Sequence, residues 1–485
     1  MKNSIDQPHR MGYVKHIYLV GIAGVGMSGI ALVLVNRGFI VSGSDIAPDP
    51  VILKTLQDSG VQVYEKHDAT QLQDVDVLVV SSAIAPSNVE CQSALASGIP
   101  ILKRAEMLAE LMRFHRGIAV SGSHGKTTTT SMIATILSHA GEDPTYVIGG
   151  HIKCSAGQMR VGKQDYFIAE ADESDGSFLY LRPILAVVTS IDYDHLETYG
   201  GQLDALQAAF VQFANQLPFY GVLVMCLDDP NVAMLRSKIQ RTCVTYGFHS
   251  DADYHIVDVT HHHGTSHIKI RSPEHTEVTV KLPCIGVHQV SNALASIAVA
   301  RACHINWSCI QKALSTFPGV KRRFDILGVY DFTSTLTDIT VVDDYGHHPK
   351  AIRVTLDAAK MRWPDCRIVL CFEPHRYTRL HALFNDFLDA LSIASVIVLM
   401  PVYACGEKPI EGATTTALAK QLKLRGICEQ VIEIKDTALF HQDLLQILQP
   451  KDVLLCQGAG CLSQMIREYL EKETQFPSGT STVMI

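Results

Sequence analysis

The chain has 485 residues, enough for about three folding units at ~150 residues each. Its net charge of −8 leaves no electrostatic footprint for nucleic acid or an anionic membrane surface, and 47% hydrophobic with 19% charged residues excludes wholesale disorder. The 13 cysteines are odd in number and contain no C-x-x-C pair, so they read as reduced core thiols of a cytoplasmic protein and not as a disulfide framework.

Ile17–Val35 runs 19 residues without a charge, the length of a membrane span, near the N-terminus where a signal sequence would lie. Gly21, Gly24, Gly26 and Gly29 interrupt it and predict a strand (HIYLV), a glycine turn and a helix instead. Strand-like and helix-like segments then alternate. FIVSGSD and VDVLVVSSAI belong to a first unit, and GIAVSG, YFIAEA, ILAVVTSID and YGVLVMCLDD to a second. TVVDDYGHHP, IVLCFEPH, VIVLMPVYA and DVLLCQGAG form a third. This is the texture of an α/β protein with mostly parallel sheets. Breaks near Met112–Gly117 and Pro318–Arg323 divide it into domains 1–115, 116–320 and 321–485. Asp253–Pro283 mixes β-branched and turn residues, which predicts antiparallel hairpins beside the central sheet. Helices follow from about His288 to Cys303 and up to Phe317, and the polar last dozen residues read as frayed.

Two glycine loops carry the chemistry. Gly24-Val25-Gly26-Met27-Ser28-Gly29 matches G-x-G-x-x-G after a strand, with Asp45 at the end of the next strand. A nicotinamide enzyme, a site for any nucleotide diphosphate at a helix N-terminus, and a tight structural turn all fit that spacing. The second loop, VSGSHGKTTTT from Val120 to Thr130, ends a strand and opens a helix with Gly125-Lys126-Thr127. Its amides and the Lys126 ammonium suit the β- and γ-phosphates of ATP, and the Thr127 hydroxyl suits Mg²⁺. Val120 stands where a P-loop has its first glycine, and Gly122 makes the turn tighter; a threonine-rich helix start is the alternative. Acids follow at two strand ends, Glu170, Asp172, Glu173 and Asp175, then Asp192 and Asp194 beside His195. Each group suits a hard cation or a solvated turn. His261, His262, His263 and His267 read as exposed loop residues, lacking cysteine partners at zinc spacing. Gln457–Gly460 reads as a structural turn.

VSGSHGKTTTT, AEADESD, DYDH, HQVSNALA, GVKRRFD, DDYGHHP and FEPHRYTR occur in the order seen in the Mur ligases, and the chain resembles that family from about residue 15 to 470. The resemblance implies a Rossmann-like N-terminal domain for a UDP substrate, a central P-loop ATPase domain with a parallel sheet plus a small antiparallel sheet, and a Rossmann-like C-terminal domain for an amino acid. The implied reaction is ATP-dependent ligation of L-alanine to the lactyl carboxylate of UDP-N-acetylmuramate in peptidoglycan synthesis, in the cytoplasm, by a monomer or homodimer without nucleic-acid or membrane partners. Carried over residue by residue, Gly122, Ser123, His124, Gly125, Lys126, Thr127, Thr128, His288, Asn292, Arg323 and Asp344 are expected around ATP. Lys126, His195 and Arg323 are expected to be catalytic. Thr127 and Glu170 are expected to bind one Mg²⁺, and Glu170 with His195 a second. Gly21, Gly24, Val25, Gly26, Asp45, Ser82 and Arg104 are expected to face the UDP substrate, which displaces the nicotinamide reading. Tyr345, His375, Arg376 and Arg379 are expected to face the amino acid; Arg376 and Arg379, at i and i+3, can share one helix face, and arginines suit the carboxylate because a guanidinium pairs with it bidentately. Some Mur ligases carry a carbamylated lysine near the second metal; the comparable position here is about Phe210. A related ligase acting on a recycled murein tripeptide and a non-catalytic nucleotide-binding module are the alternatives.

Overall fold

The apolar run at the start of the chain is broken by its glycines, as expected. In the computed structural model, which describes residues 11–81, 83–150, 152–153, 159–193, 196–426 and 428–475, it forms strand β1 (His16–Val20) and a helix, Val25–Asn36. Gly21 makes the turn at φ +77°, where a Cβ would come within 3.1 Å of that of Ser81. Among the described residues no helix is long and apolar enough to cross a membrane.

The first sheet adds β2 (Ile40–Ser44), β3 (Gln62–Tyr64), β4 (Val77–Val80) and β5 (Ile101–Lys103). They lie parallel in the order β3-β2-β1-β4-β5. The order reverses between β1 and β4, so the turn after β1 sits at the switch point where open α/β sheets bind ligands.

The central sheet consists of β6 (Arg116–Ser121), β7 (Thr145–Val147), β8 (Met159–Arg160), β9 (Tyr166–Glu170), β10 (Leu185–Val188), β11 (Val222–Cys226), β12 (Thr242–Gly247), β13 (Tyr254–His262), β14 (Thr265–Arg271) and β15 (Glu277–Leu282). Its order is β15-β14-β13-β12-β11-β10-β6-β9-β7-β8, and the run from β12 to β7 is parallel. The links β13–β14 and β14–β15 are too short for a crossover, so these are the expected hairpins.

The third sheet consists of β16 (Asp325–Tyr330), β17 (Ile339–Asp344), β18 (Ile368–Glu373), β19 (Val396–Leu399), β20 (Gln430–Glu433) and β21 (Val453–Gly458), in the order β16-β17-β21-β18-β19-β20. Only β16 runs antiparallel, with a register shift between Ile326 and Gly328. Apolar clusters cover both faces of this sheet, one around Ile352, Leu370 and Phe387, the other around Val341, Phe440 and Ile466. The last helix runs to Gln475, and the residues expected to fray beyond it lie outside the described part.

The architecture is therefore three-domain α/β, but the first break read from the sequence does not separate two cores. One apolar cluster runs from Ile17, Ile30 and Leu34 of the first domain through Leu111 and Met112 to Phe167, Phe178 and Phe213 of the second. Glycines permit the close approach. A Cβ on Gly117 would lie 2.4 Å from the Met112 Cγ, and one on Gly29 2.3 Å from the Met159 Sδ. Accordingly the chain falls into two compact units: one runs to Asp258 and includes Lys269–Val280 and Asn292–Ser315, the other comprises Val259–Ile268, Lys281–Ser291 and the chain from Thr316.

The first domain also buries a carboxylate. Glu90 is fully buried and accepts hydrogen bonds from the Tyr18 hydroxyl at 2.7 Å, the Ser44 hydroxyl at 2.7 Å and the Asp68 amide at 3.2 Å, with the His67 Nδ1 at 3.0 Å. Burial, aided by Glu90, pushes the Tyr18 phenol well above its ordinary range. Glu90→Ala strands these donors, and is expected to destabilise the protein by about 3 kcal/mol, read as a lowered urea midpoint.

Candidate active site

The second glycine loop lies between β6 and the helix Lys126–His139. Gly122 takes φ +129°, and a Cβ there would lie 2.2 Å from the Thr189 Oγ1 and 2.9 Å from the Ser190 backbone. The loop is held from the end of β10: the Ser123 amide donates to the Ser190 carbonyl at 2.9 Å, and the His124 amide to the Ser190 hydroxyl at 3.0 Å. The Asp192 amide donates to the Ser123 hydroxyl at 2.9 Å, and the His124 Nε2 lies 3.3 Å from the Asp192 carboxylate. Gly125, at φ +83°, is the N-cap residue, without a side-chain cap and without an acid in the first turn. The threonine-rich helix start therefore carries no side-chain cap. The threonine hydroxyls turn elsewhere: Thr130 bonds back to the Lys126 carbonyl, and Thr129 donates to the Asn292 Oδ1 at 3.3 Å. That Asn292 oxygen lies 2.4 Å from where a Gly125 Cβ would be, so Asn292 packs directly on the loop. Thr128, like Thr127, is buried. Uncapped amides at a helix N-terminus form an anion site.

Lys126 is the loop's cation and is only 18% exposed. Its Nζ donates to the Gly122 carbonyl at 2.6 Å and to both oxygens of Glu173, at 3.0 and 2.8 Å. Burial opposes the ammonium, but the charges of Glu173, Asp172 and Glu170 outweigh it and raise the Lys126 pKa above the ordinary lysine value. Burial also raises the pKa of Glu173, which is 1% exposed, and Lys126 offsets part of this. Beside the lysine, the Thr127 hydroxyl donates to the Glu170 Oε2 at 3.3 Å, and the Gly149 amide donates to Oε1 at 2.7 Å. A hydroxyl and a carboxylate at the end of a strand are hard oxygen donors that fit Mg²⁺. Asp194 and His195, the latter expected to be a metal ligand, lie outside the described residues. Phe210, at the position of the carbamylated lysine, is fully buried with its ring 5.1 Å from that of Phe178.

At the first loop, Asp45 and Arg104 lie against the glycine turn. The helix starting at Val25 has Gly24 as N-cap with no side-chain cap. The Asp45 carboxylate accepts from the Ala23 amide at 3.0 Å, and the Arg104 Nη1 comes within 3.1 Å of where a Gly26 Cβ would be. Ser82 lies outside the described residues.

In the other unit, Tyr345 is flanked by two guanidiniums, the Arg322 Cζ 4.9 Å and the Arg323 Cζ 5.1 Å from its ring centre. A row of rings continues from it: Tyr345 to His347 at 5.2 Å, His347 to His375 at 5.2 Å, and His375 to Tyr403 at 5.6 Å. The Arg379 Nη1 lies 3.3 Å from the His375 Nδ1. Arg376 does not share a helix face with Arg379. It precedes the helix Tyr377–Ala382 at φ +71°, exposed, and its amide donates to the Tyr403 carbonyl at 2.9 Å, which holds the backbone in that turn. The Asp344 carboxylate accepts from the Phe324 amide at 2.8 Å, the Gly346 amide at 2.7 Å and the Gln457 side chain at 3.0 Å, so it braces the domain. Burial, with Arg323 adding to it, lowers the His288 pKa to about 4, and its buried Nδ1 has no hydrogen-bond partner. The turn Gln457–Gly460 is structural, as expected: Glu373 accepts the Cys461 and Leu462 amides at 3.1 and 3.3 Å and fills the anion position itself.

Sequence reasoning passed over Glu173, Arg322 and Tyr403. The acid lay in a run of candidates, and only the fold aims it at Lys126. Arg322 adjoins a residue already chosen, while Tyr403 reaches His375 from the end of β19, with no motif around it.

Three sequence profiles match the chain: the Mur ligase family catalytic domain over residues 16–116, the Mur ligase middle domain over 120–300 and the Mur ligase glutamate ligase domain over 322–460. Among solved structures, the UDP-N-acetylmuramate-alanine ligase of Thermotoga maritima is 26% identical, with a TM-score of 0.78 over 95% of this chain and 100% of that one. The murein peptide ligase of Psychrobacter arcticus is 24% identical, with a TM-score of 0.67 over 96% and 100%. The UDP-N-acetylmuramate:L-alanyl-gamma-D-glutamyl-meso-diaminopimelate ligase of Neisseria meningitides is 28% identical, with a TM-score of 0.58 over 64% and 100%. Profiles that follow one another along nearly the whole chain, on a three-domain α/β fold of the same kind, place it in the Mur ligase family, whose members are ATP-dependent ligases of peptidoglycan precursors.

Proposed function

We propose that this enzyme joins L-alanine to the lactyl carboxylate of UDP-N-acetylmuramate in the cytoplasm, with cleavage of ATP to ADP and phosphate. The observation that carries the reading is the Gly122–Thr127 loop, where a cation, uncapped helix amides and a hydroxyl–carboxylate pair meet. The choice of alanine rests on the likeness to the Thermotoga maritima enzyme over nearly the full length of both chains.

A carboxylate is a poor electrophile and must be activated. In this reading its oxygen attacks the γ-phosphorus of ATP, the bond to ADP breaks, and an acyl phosphate forms. The alanine amine then attacks the acyl carbon, loses a proton and expels phosphate. Joining two anions requires charge neutralisation and alignment more than covalent help. Lys126 and the uncapped amides at the start of the Lys126–His139 helix would take up the phosphoryl charge. Thr127 and Glu170 would hold Mg²⁺, with His195 and Glu170 for a second ion, and the ions supply further neutralisation when bound. Asn292, His288, Arg323 and Asp344 would frame the nucleotide. Gly21, Gly24, Gly26, Asp45 and Arg104 would hold the UDP diphosphate. Tyr345, His375, Arg376 and Arg379 would receive the amino acid, a guanidinium pairing with its carboxylate.

A second reading, the same carboxylate activation with a murein tripeptide as nucleophile, is favoured by the likeness to the Neisseria meningitides ligase. Phosphate release measured with UDP-N-acetylmuramate and a panel of alanine, glycine, serine and the tripeptide separates the two. Alanine is expected to give the fastest release, and release with the tripeptide alone would select the second reading. Lys126→Ala is expected to lower alanine-dependent phosphate release by about 10² to 10³ while UDP-N-acetylmuramate still binds. Retained turnover would remove the role given to the loop. Gly122→Ala forces a Cβ into the backbone of Ser190 at a left-handed φ, a strain of about 1–3 kcal/mol. Calorimetry should show ATP affinity falling about tenfold or more.

A further inference from the structure

We propose that Glu173 is a counter-ion latch, a positioning residue that holds the Lys126 ammonium in the loop before nucleotide arrives and that the triphosphate displaces. The inference deepens the ATP reading and rests on it.

An ammonium group has three protons to donate. Those of Lys126 have three partners within the protein, the Gly122 carbonyl and the two Glu173 oxygens. A phosphate oxygen can be gripped only if one of these partners yields. Gly122 cannot, because its carbonyl belongs to a backbone confined by Thr189 and Ser190. Glu173 can. Its backbone is pinned, its carbonyl accepting the Tyr199 hydroxyl at 2.5 Å and the Gly176 amide at 3.1 Å. Its carboxylate, in contrast, bonds Lys126 and its own amide, and side-chain rotation alone releases it.

The latch has a physical rationale on each side of the exchange. Without a ligand, a lysine that is 18% exposed would be costly to hold unpaired at the floor of the loop, and Glu173 neutralises it there. With a ligand, two anions compete for one cation, so the carboxylate opposes the triphosphate by like charge as well as by occupancy. A neutral side chain of the same shape removes the competition but also removes the neutralisation.

The test is titration of the full chain with a non-hydrolysable ATP analogue (AMP-PNP) and Mg²⁺ by calorimetry, in the wild type and Glu173→Gln, together with thermal melting of both without nucleotide. The expected result is a lower melting temperature for Glu173→Gln and about tenfold tighter AMP-PNP binding. UDP-N-acetylmuramate affinity should be unchanged. Lower stability with unchanged or weaker AMP-PNP binding would mean that Glu173 only supports the fold, and would overturn the latch while leaving the ATP reading intact. Failure of the wild type itself to bind AMP-PNP would overturn the ATP reading and the latch with it. Should Glu173→Gln not fold, nuclear magnetic resonance of the wild type gives the same answer. A correlation between the Lys126 ammonium protons and the Glu173 carboxyl carbon is expected to vanish when AMP-PNP is added, and its persistence at saturation would overturn the proposal.

Discussion

A cation taken largely out of water must have company, and the arrangement around Lys126 follows from that requirement. Its ammonium faces Glu173, Asp172 and Glu170, all from the stretch that ends β9, across from the loop that ends β6. Those two strands are adjacent and parallel, with Val120 beside Glu170, so the sheet delivers the glycine turn and the acids to the same edge. Once this geometry is set, the helix Lys126–His139 starts with open amides, because Gly125 offers no side chain and the hydroxyls of Thr127, Thr129 and Thr130 bond to Glu170, Asn292 and the Lys126 carbonyl.

The chain uses the same strand–glycine–helix device three times, with different outcomes. After β6 the helix N-terminus is open and a lysine stands beside it. After β1 it is also open, with Arg104 lying over Gly26 and Asp45 holding the Ala23 amide. After β21 a carboxylate of the protein, Glu373, accepts the amides of Cys461 and Leu462, and a Cβ on Gly460 would lie 2.6 Å from it. An anion site exists only where the protein has not already supplied the anion. Glycine spacing alone therefore cannot tell a phosphate cradle from an internally capped turn.

This explains which features were legible in the sequence. Strands such as HIYLV and VLVMC declared themselves because both faces are buried, so that β-branched runs appear without polar interruption. The hairpins at Asp253–Pro283 and the P-loop followed from local composition. What was hidden depends on contacts distant in sequence. β16 is an antiparallel edge with a register shift, and it lacks the strong run of a buried strand. Arg376 was expected on a helix face by counting from Arg379, but a backbone bond to Tyr403 pulls it into a left-handed turn before the helix begins. The break at Met112–Gly117 is a true change of element. The absence of a side chain at Gly117, which reads as a linker, is what lets Met112 pack there and fuse two cores.

The acids around Lys126 also bear on the form in which a nucleotide can bind. Three carboxylates near one ammonium leave a net negative field where a polyanion is to be received. A bare triphosphate meets that field as a like charge and loses part of what Lys126 and the helix amides offer. A triphosphate carrying a divalent cation brings its own compensation, and the Glu170 carboxylate, beside the Thr127 hydroxyl, then becomes attractive to the cation. On the proposed reading, acidic residues that look misplaced beside a phosphate loop would favour the metal-bound nucleotide over the bare one. They do so without a lysine at the place of Phe210, whose ring is committed to the apolar core against Phe178.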